Sequence, residues 1–230
     1  MRVCIIPARG GSKRIPRKNI KDFLGRPIIS YPIETAIRSG LFDEVIVSTD
    51  DEEIANVAME HGAKIPFLRP KELADDFTGT VPVIAHAIKE LEKNYDEVEI
   101  ACCVYPTSVF LSVEALLNGF LALNSSPLNE YSFSAVSFEA PIFRSFRILD
   151  GGGVEMFFPE NFSKRSQDLP EAYRDGAQFY FGRRDAFCSQ LPIFGENSIA
   201  VKLDRKLAVD IDTPEDWETA ELIYKALRLC

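Results

Sequence analysis

Residues 2–19 read RVCIIPARGGSKRIPRKN. The first six are a short apolar run closed by Pro7, the pattern of a buried strand that hands over to a loop. The next twelve place Gly10 and Gly11 among Arg9, Lys13, Arg14, Arg17 and Lys18. A glycine-rich turn behind a strand can aim backbone N–H groups at an oxyanion, because no side chain blocks the approach. The dinucleotide fingerprint G-x-G-x-x-G is absent, and so is the G-K-[ST] that ends a P-loop. What this loop offers is amides and side-chain cations together. That combination suits a triphosphate whose pyrophosphate must leave, since charge building on the departing phosphates needs fixed positive partners. An ordinary turn with solvated surface cations is the alternative.

Outward from this loop the first half of the chain alternates. Apolar, β-branched runs at 3–6, 45–48, 65–68 and 100–105 are separated by helical periodicity at 28–38, 52–61, 81–93 and 113–123. Strand–helix repetition with short connections predicts an α/β fold, a mostly parallel sheet with helices on both faces. The strands are nearly all apolar, as expected when both faces are covered.

After residue 130 the pattern changes. Runs at 131–138 and 143–149, the turn DGGG at 150–153 and a returning run at 154–158 predict an antiparallel hairpin lobe at about 131–178, within a single domain over 1–230. Seven phenylalanines between 133 and 162 give the lobe more apolar surface than a free hairpin should show to water, which suits an interface or, equally, packing on its own domain. The chain closes with a predicted strand at 207–211 and a helix at 213–229, capped by Thr213 with Pro214 at its first position. Trp217, Ala220, Ile223, Tyr224 and Leu227 share one face of it. Asp210 and Asp212, two apart at the predicted strand end, project the same way. Such a pair can hold Mg²⁺, which takes one or two carboxylates and completes its shell with phosphate oxygens and water. An acidic helix-capping loop is the alternative.

The net charge over 230 residues is −9, which argues against a nucleic-acid binder. Yet residues 1–26 carry eight cations against Asp22 alone. One cationic pocket in an anionic body suits a small polyanion bound at one place. Five cysteines without a CxxC pair read as buried small hydrophobes rather than disulfides or a zinc site. No run is apolar enough to span a bilayer or to form a signal peptide, so the expected location is the cytoplasm with no membrane partner. His61 and His86 fall on helical patterns and receive no catalytic role.

Five stretches, PARGGSKRIPRKN, STDDEEIA, RPKELADD, YPTS and DIDTPEDW, occur in an order and spacing that resembles the acylneuraminate (sialic-acid-type) cytidylyltransferases along essentially the whole chain. Within them, Tyr105 before Pro-Thr-Ser, FRSFRI at 143–148 and RSQDLPEAYRDGAQFYFG at 165–182 resemble the pseudaminic acid branch. Arg174, where that branch has histidine, and the order Gly-Ala-Gln at 176–178 depart from it. The resemblance implies a Rossmann-like, GT-A-like three-layer α/β/α nucleotidyltransferase with an antiparallel dimerisation excursion, acting as a homodimer or dimer of dimers. It implies that Arg9, Ser12, Lys18 and Asn19, with the backbone of Ala8, Gly10 and Gly11, contact the triphosphate of CTP. Arg69 and Thr80 would meet the cytidine half. Asp210 and Asp212 would bind Mg²⁺ or, in its place, Mn²⁺. Tyr105, Arg165, Gln167, Arg174 and Gln178 would line the side of a nine-carbon 2-keto sugar acid.

The implied reaction is direct in-line transfer of CMP from CTP to the anomeric hydroxyl of pseudaminic acid, with release of pyrophosphate. Arg9, Lys18, Asp210 and Asp212 would carry it, and no Ser–His or Cys–His pair calls for a covalent intermediate. An N-acylneuraminate or legionaminate enzyme with the same chemistry is one alternative. A non-catalytic nucleotide-binding protein and a glycosyltransferase using DID as its metal motif are others.

Overall fold

The computed structural model describes residues 1–228. Cys230 and the last residue of the helix expected over 213–229 lie outside the described residues. The chain runs β1 (Arg2–Pro7), α1 (Ser30–Ser39), β2 (Glu44–Ser48), α2 (Glu52–Glu60), α3 (Thr80–Leu91), β3 (Ile100–Val104), α4 (Val113–Asn124) and β4 (Tyr131–Ser137). It continues with β5 (Phe146–Ile148), β6 (Val154–Met156), β7 (Tyr173–Arg183), α5 (Arg184–Cys188), β8 (Ser198–Lys202) and α6 (Pro214–Arg228).

Six strands form the central sheet in the order β2-β1-β3-β7-β4-β8. β1 runs parallel to β2 and β3, and β8 parallel to β4, while β7 lies antiparallel between β3 and β4. The expected mostly parallel α/β sheet is therefore present. β3 is buried at every residue, so Cys102 and Val104 face one layer and Ala101 and Cys103 the other. On the first face they meet Ile33 of α1 and Leu116 of α4; on the second, Ile84 and Ile88 of α3. Cys4, Cys102 and Cys103 are buried free thiols, and burial pushes all three up in pKa, as inert core residues require.

A third cluster lies off the sheet. Ile15 from the glycine-rich loop, Phe23, Ile28, Tyr31 and Ile211 pack with Trp217 and Ala220 of α6. Phe23 meets the Tyr31 and Trp217 rings edge to face, with centroids 5.5 Å apart in both pairs. This cluster joins the start of the chain to its end. The face of α6 expected to be core is so at Trp217 and Ala220, while Leu227 is 43% exposed. Thr213 caps the helix as expected: its hydroxyl oxygen accepts the Asp216 N–H at 3.2 Å, and Asp216 accepts the Thr213 N–H in return at 2.7 Å.

Two predicted strands are absent. Residues 65–68 contribute only the neighbouring bridge from Lys64 to Ile46, because Pro66 has no N–H to extend a ladder along β2. Residues 207–211 leave a single 3₁₀ turn, Arg205–Leu207, and then run extended without a strand partner. Side chains take the place of the ladder. The Leu207 carbonyl accepts from Gln178 Nε2, the Ala208 carbonyl from Arg174 Nη2 at 3.2 Å, and the Ile211 carbonyl from Lys18 Nζ at 2.7 Å.

Two strands went unread, β7 and β8. Of residues 131–178, β4 and the first part of β7 belong to the central sheet, and the intervening chain leaves it. There β5 and β6 form a separate two-stranded hairpin, with Phe146 opposite Met156. The run expected from 143 begins as a 3₁₀ turn, Ile142–Arg144, before β5. The DGGG turn closes through the Leu149 N–H on the Gly153 carbonyl at 2.8 Å, with Gly152 at φ 79°.

Candidate active site

The loop after β1 is held by backbone and by acid. The Ala8 N–H donates to the Ser48 carbonyl at 3.0 Å, which ties the loop to the end of β2. The Gly10 N–H donates to Asp50 Oδ1 at 3.0 Å. A Cβ on Gly10 would stand 2.6 Å from Asp51 Oδ2, so glycine is required there by close approach. Asp51 also caps α2, accepting the Ile54 N–H at 3.0 Å, and pairs with Arg17. The Arg17 guanidinium, set by a left-handed backbone at φ 55°, pushes the Asp51 carboxyl down to about 2. Arg17 is thus a brace of the loop.

The other four cations of the loop face one cleft of about 640 Å³. Arg9, Lys13, Arg14 and Lys18 form one wall, with Ser12 and Asn19 between them. Asp210 and Asp212 face them from the chain before α6. Contact across the cleft is direct: Lys18 Nζ lies 3.1 Å from Asp212 Oδ1, and Arg14 Nη2 lies 2.9 Å from Asp212 Oδ2. Ile211, between the two aspartates, is fully buried in the third cluster, so both flanking carboxylates are turned outward without a strand ladder. Burial raises the Asp210 carboxyl above the usual range, and the neighbouring Asp212 raises it further. A carboxylate pair under mutual repulsion at the rim of an anion pocket fits a divalent cation. Among the described residues no group of three or more metal-ligating side chains forms, so an ion held here completes its shell from substrate and water.

The far wall is formed by Arg69, Thr80 and Tyr105. Arg69 is 5% exposed; its Nε donates to Ser48 Oγ at 3.2 Å and its Nη1 to the Leu73 carbonyl at 3.4 Å. Burial lowers its guanidinium to about 10, which leaves it charged at neutral pH. Thr80, the first residue of α3, sets Oγ1 2.9 Å from the Tyr105 hydroxyl, and both residues line the cleft. Five cations and three carboxylates line the pocket, an excess of positive charge that suits a polyphosphate.

The residues named from sequence divide into three groups. Arg9, Ser12, Lys18, Asn19, Arg69, Thr80, Tyr105, Asp210 and Asp212 meet in the cleft. Asn19 also supports it from behind, donating from Nδ2 to the Arg9 carbonyl at 3.0 Å. Ala8, Gly10 and Gly11 shape the loop without lining the pocket, and the Gly10 amide is taken by Asp50. Arg165, Gln167, Arg174 and Gln178 stand outside it. Arg165 is exposed and paired with Asp168 at 2.8 Å, and Gln167 is exposed in the same turn. Arg174 and Gln178 instead brace the chain leading to Asp210 through the Ala208 and Leu207 carbonyls.

Sequence reasoning gave no role to Asp76. Its carboxylate accepts from Arg9 Nη1 at 2.7 Å and from Lys13, on the pocket wall. The RPKELADD motif contains it, but nothing in the order of residues shows that the second aspartate turns back to the loop.

A family model described as cytidylyltransferase matches residues 3–227. The chain belongs to this cytidylyltransferase family. The enzyme is 45% identical over 223 residues to a pseudaminic acid cytidylyltransferase of Campylobacter jejuni, covering 97% of this chain and 96% of that relative. It is 32% identical over 227 residues to a CMP-N,N'-diacetyllegionaminic acid synthase of the same species, covering 99% and 96% respectively. Among solved structures, a CMP:2-keto-3-deoxy-manno-octonic acid synthetase complexed with CTP superposes with a TM-score of 0.72, over 98% of this chain and 99% of that one. At 18% identity that likeness establishes the shared fold. The cytidylyltransferase is accordingly a nucleotidyltransferase of the three-layer α/β type. No helix among the described residues is long and apolar enough to cross a membrane.

Proposed function

We propose that this cytidylyltransferase transfers CMP from CTP to the anomeric hydroxyl of pseudaminic acid and releases pyrophosphate. The observation that carries the reading is the closure of one cleft by Arg14 and Lys18 from the start of the chain and Asp212 from its end. The choice of sugar acid rests on 45% identity to a pseudaminic acid enzyme against 32% to a legionaminic acid enzyme.

In this reading Arg9, Lys13 and Lys18 hold the triphosphate and stabilise the charge that grows on the departing pyrophosphate. Ser12 and Asn19 fix the loop beneath it. Arg69 and Thr80 face the cytidine half, and Tyr105 faces the sugar acid. Asp210 and Asp212 would hold Mg²⁺, which would supply Lewis-acid polarisation of the α-phosphoryl group. The chain supplies positioning and electrostatics, and the phosphoryl group passes directly between the two oxygens. Burial and the neighbouring Asp212 make Asp210 a weaker acid than an open aspartate, which suits a cation beside it.

The same reading takes the enzyme as a cytoplasmic homodimer, supported by its use of CTP, its buried free thiols and the apolar hairpin of β5 and β6.

Pyrophosphate release with CTP and a panel of nonulosonic acids tests the proposal. Pseudaminic acid should be the preferred acceptor. Preference for legionaminic or N-acetylneuraminic acid would reassign the sugar, and binding of CTP without turnover would reassign the class. Asp212→Asn should lower turnover by roughly three orders of magnitude, on the order of 4 kcal/mol of transition-state stabilisation, with the fold retained. A rate within about tenfold of the parent would remove the metal assignment.

A further inference from the structure

The RPKELADD motif ends in a loop to which the mechanism gives no role. Residues 74–79 run from the 3₁₀ turn Lys71–Leu73 to the start of α3, and lend Asp76, Thr78 and Gly79 to the lining of the cleft. The loop is shaped from within. Asp75 Oδ1 accepts the Phe77 and Thr78 N–H groups at 2.9 and 2.6 Å, and the Thr78 hydroxyl donates to the Glu72 carbonyl at 3.4 Å. Phe77 is 94% exposed, so it anchors nothing.

Its ties to the rest of the protein are of one kind. Arg9 Nη1 donates to the Asp75 carbonyl at 2.6 Å and pairs with Asp76 Oδ1 at 2.7 Å, while Lys13 donates to Asp76 Oδ2. Among the described residues, every hydrogen bond or ion pair that joins 74–79 to chain beyond its two flanking elements goes to Arg9 or Lys13. These are two of the cations on which the functional reading places the triphosphate. A carboxylate and a phosphate seek the same N–H groups, and two anions brought to one cation repel each other. A phosphate that takes Arg9 and Lys13 therefore displaces Asp76, and the loop loses its outward polar ties in the same step.

We propose that Asp76 is an internal competitor for phosphate: it holds Arg9 and Lys13 until a polyphosphate displaces it and frees residues 74–79, and its return favours the release of pyrophosphate. The proposal rests on the functional reading above, in which Arg9 and Lys13 hold the triphosphate. It gives a use to a carboxylate that, as a passive wall of an anion pocket, would only oppose the substrate. Lys13 is 78% exposed, and solvent weakens such pairs, so the competition is modest in size.

Asp76→Asn keeps the size of the side chain and removes its charge. Calorimetry should show inorganic pyrophosphate and CTP binding about fivefold tighter than to the wild type, with cytidine, which has no phosphate, changed less than about twofold. Asp76→Ala, which cannot bond to either cation, should show the same gain. Glu72→Gln removes a charge of the same sign from an exposed side chain in the preceding turn that pairs with neither cation, and should change all three affinities by less than about twofold. In the wild type, amide hydrogen exchange at 74–79 should quicken at saturating pyrophosphate. Pyrophosphate binding that is unchanged or weaker in both Asp76 variants, an equal gain in Glu72→Gln, or loop exchange that fails to quicken overturns the proposal. A wild-type protein that binds neither pyrophosphate nor CTP overturns the functional reading, and the proposal with it.

Discussion

The Asp51 carboxylate caps α2 through the Ile54 amide, binds Arg17 at 2.5 and 2.9 Å, and stands where a Cβ on Gly10 would be. Its carboxyl titrates at about 2, against about 3.9 for an unfolded aspartate. As pH falls, the unfolded chain therefore takes the proton first. The stabilisation is complete above about pH 5 and is lost between about pH 4 and pH 2. Arg17 is partly exposed, so solvent screening reduces the pair to about 1 kcal/mol. Asp51→Asn, which retains an N-cap oxygen, should cost about that much at pH 7 and almost nothing at pH 2 in denaturant melts. Equal destabilisation at both pH values would show that the ion pair contributes nothing. The same residue shows what one-letter reading misses. The letters of 52–61 showed a helix, but that the aspartate before it also walls the glycine-rich loop depends on β1 and β2 lying side by side.

At the level of elements, Ile15 and Ile211 share one small core with α6, so the cationic loop and the acidic pair have a common support. Ile211→Ala should cost about 2–4 kcal/mol and raise the KM for CTP as both sides of the cleft loosen. Denaturant titration and steady-state kinetics check this; a loss below about 1 kcal/mol with unchanged KM would mean the two walls are supported separately. The helices α1 to α4 were legible because their apolar spacing is a local feature. The runs of β1 to β3 were legible because burial on both faces leaves nearly continuous apolar letters. The run before α6 was misread for a physical reason. Leu207 to Ile211 has strand-like letters, but its carbonyls are held by Gln178, Arg174 and Lys18, and side-chain partners so far away in sequence leave no periodic trace. The resemblance marked Gln178 and Arg174 for the sugar side, and their contacts here are with that strut. β7 was quoted as a motif and went unread as a strand, since its antiparallel place between two parallel neighbours is fixed by topology alone.

At the scale of the whole molecule, exposed apolar side chains gather on the hairpin lobe. Phe146, Ile148 and Val154 on the hairpin, with Phe157 and Phe162 after it, are each more than half exposed. A lone two-stranded hairpin is marginal in water, so a surface of this kind is expected to be covered by a second copy. Ile148→Asp combined with Phe157→Asp should halve the molar mass in light scattering while the melting temperature of the core changes little. A dimer that persists would move the contact elsewhere. The cleft itself carries a consequence for ionic strength. Asp76 already occupies Arg9 and Lys13, and Asp212 already occupies Arg14 and Lys18, so a triphosphate enters by exchanging partners. Few mobile counterions are expelled in such an exchange. The CTP dissociation constant should therefore climb with added potassium chloride far less steeply than four bare cations would dictate, and calorimetric titrations across a tenfold range of salt would measure the difference.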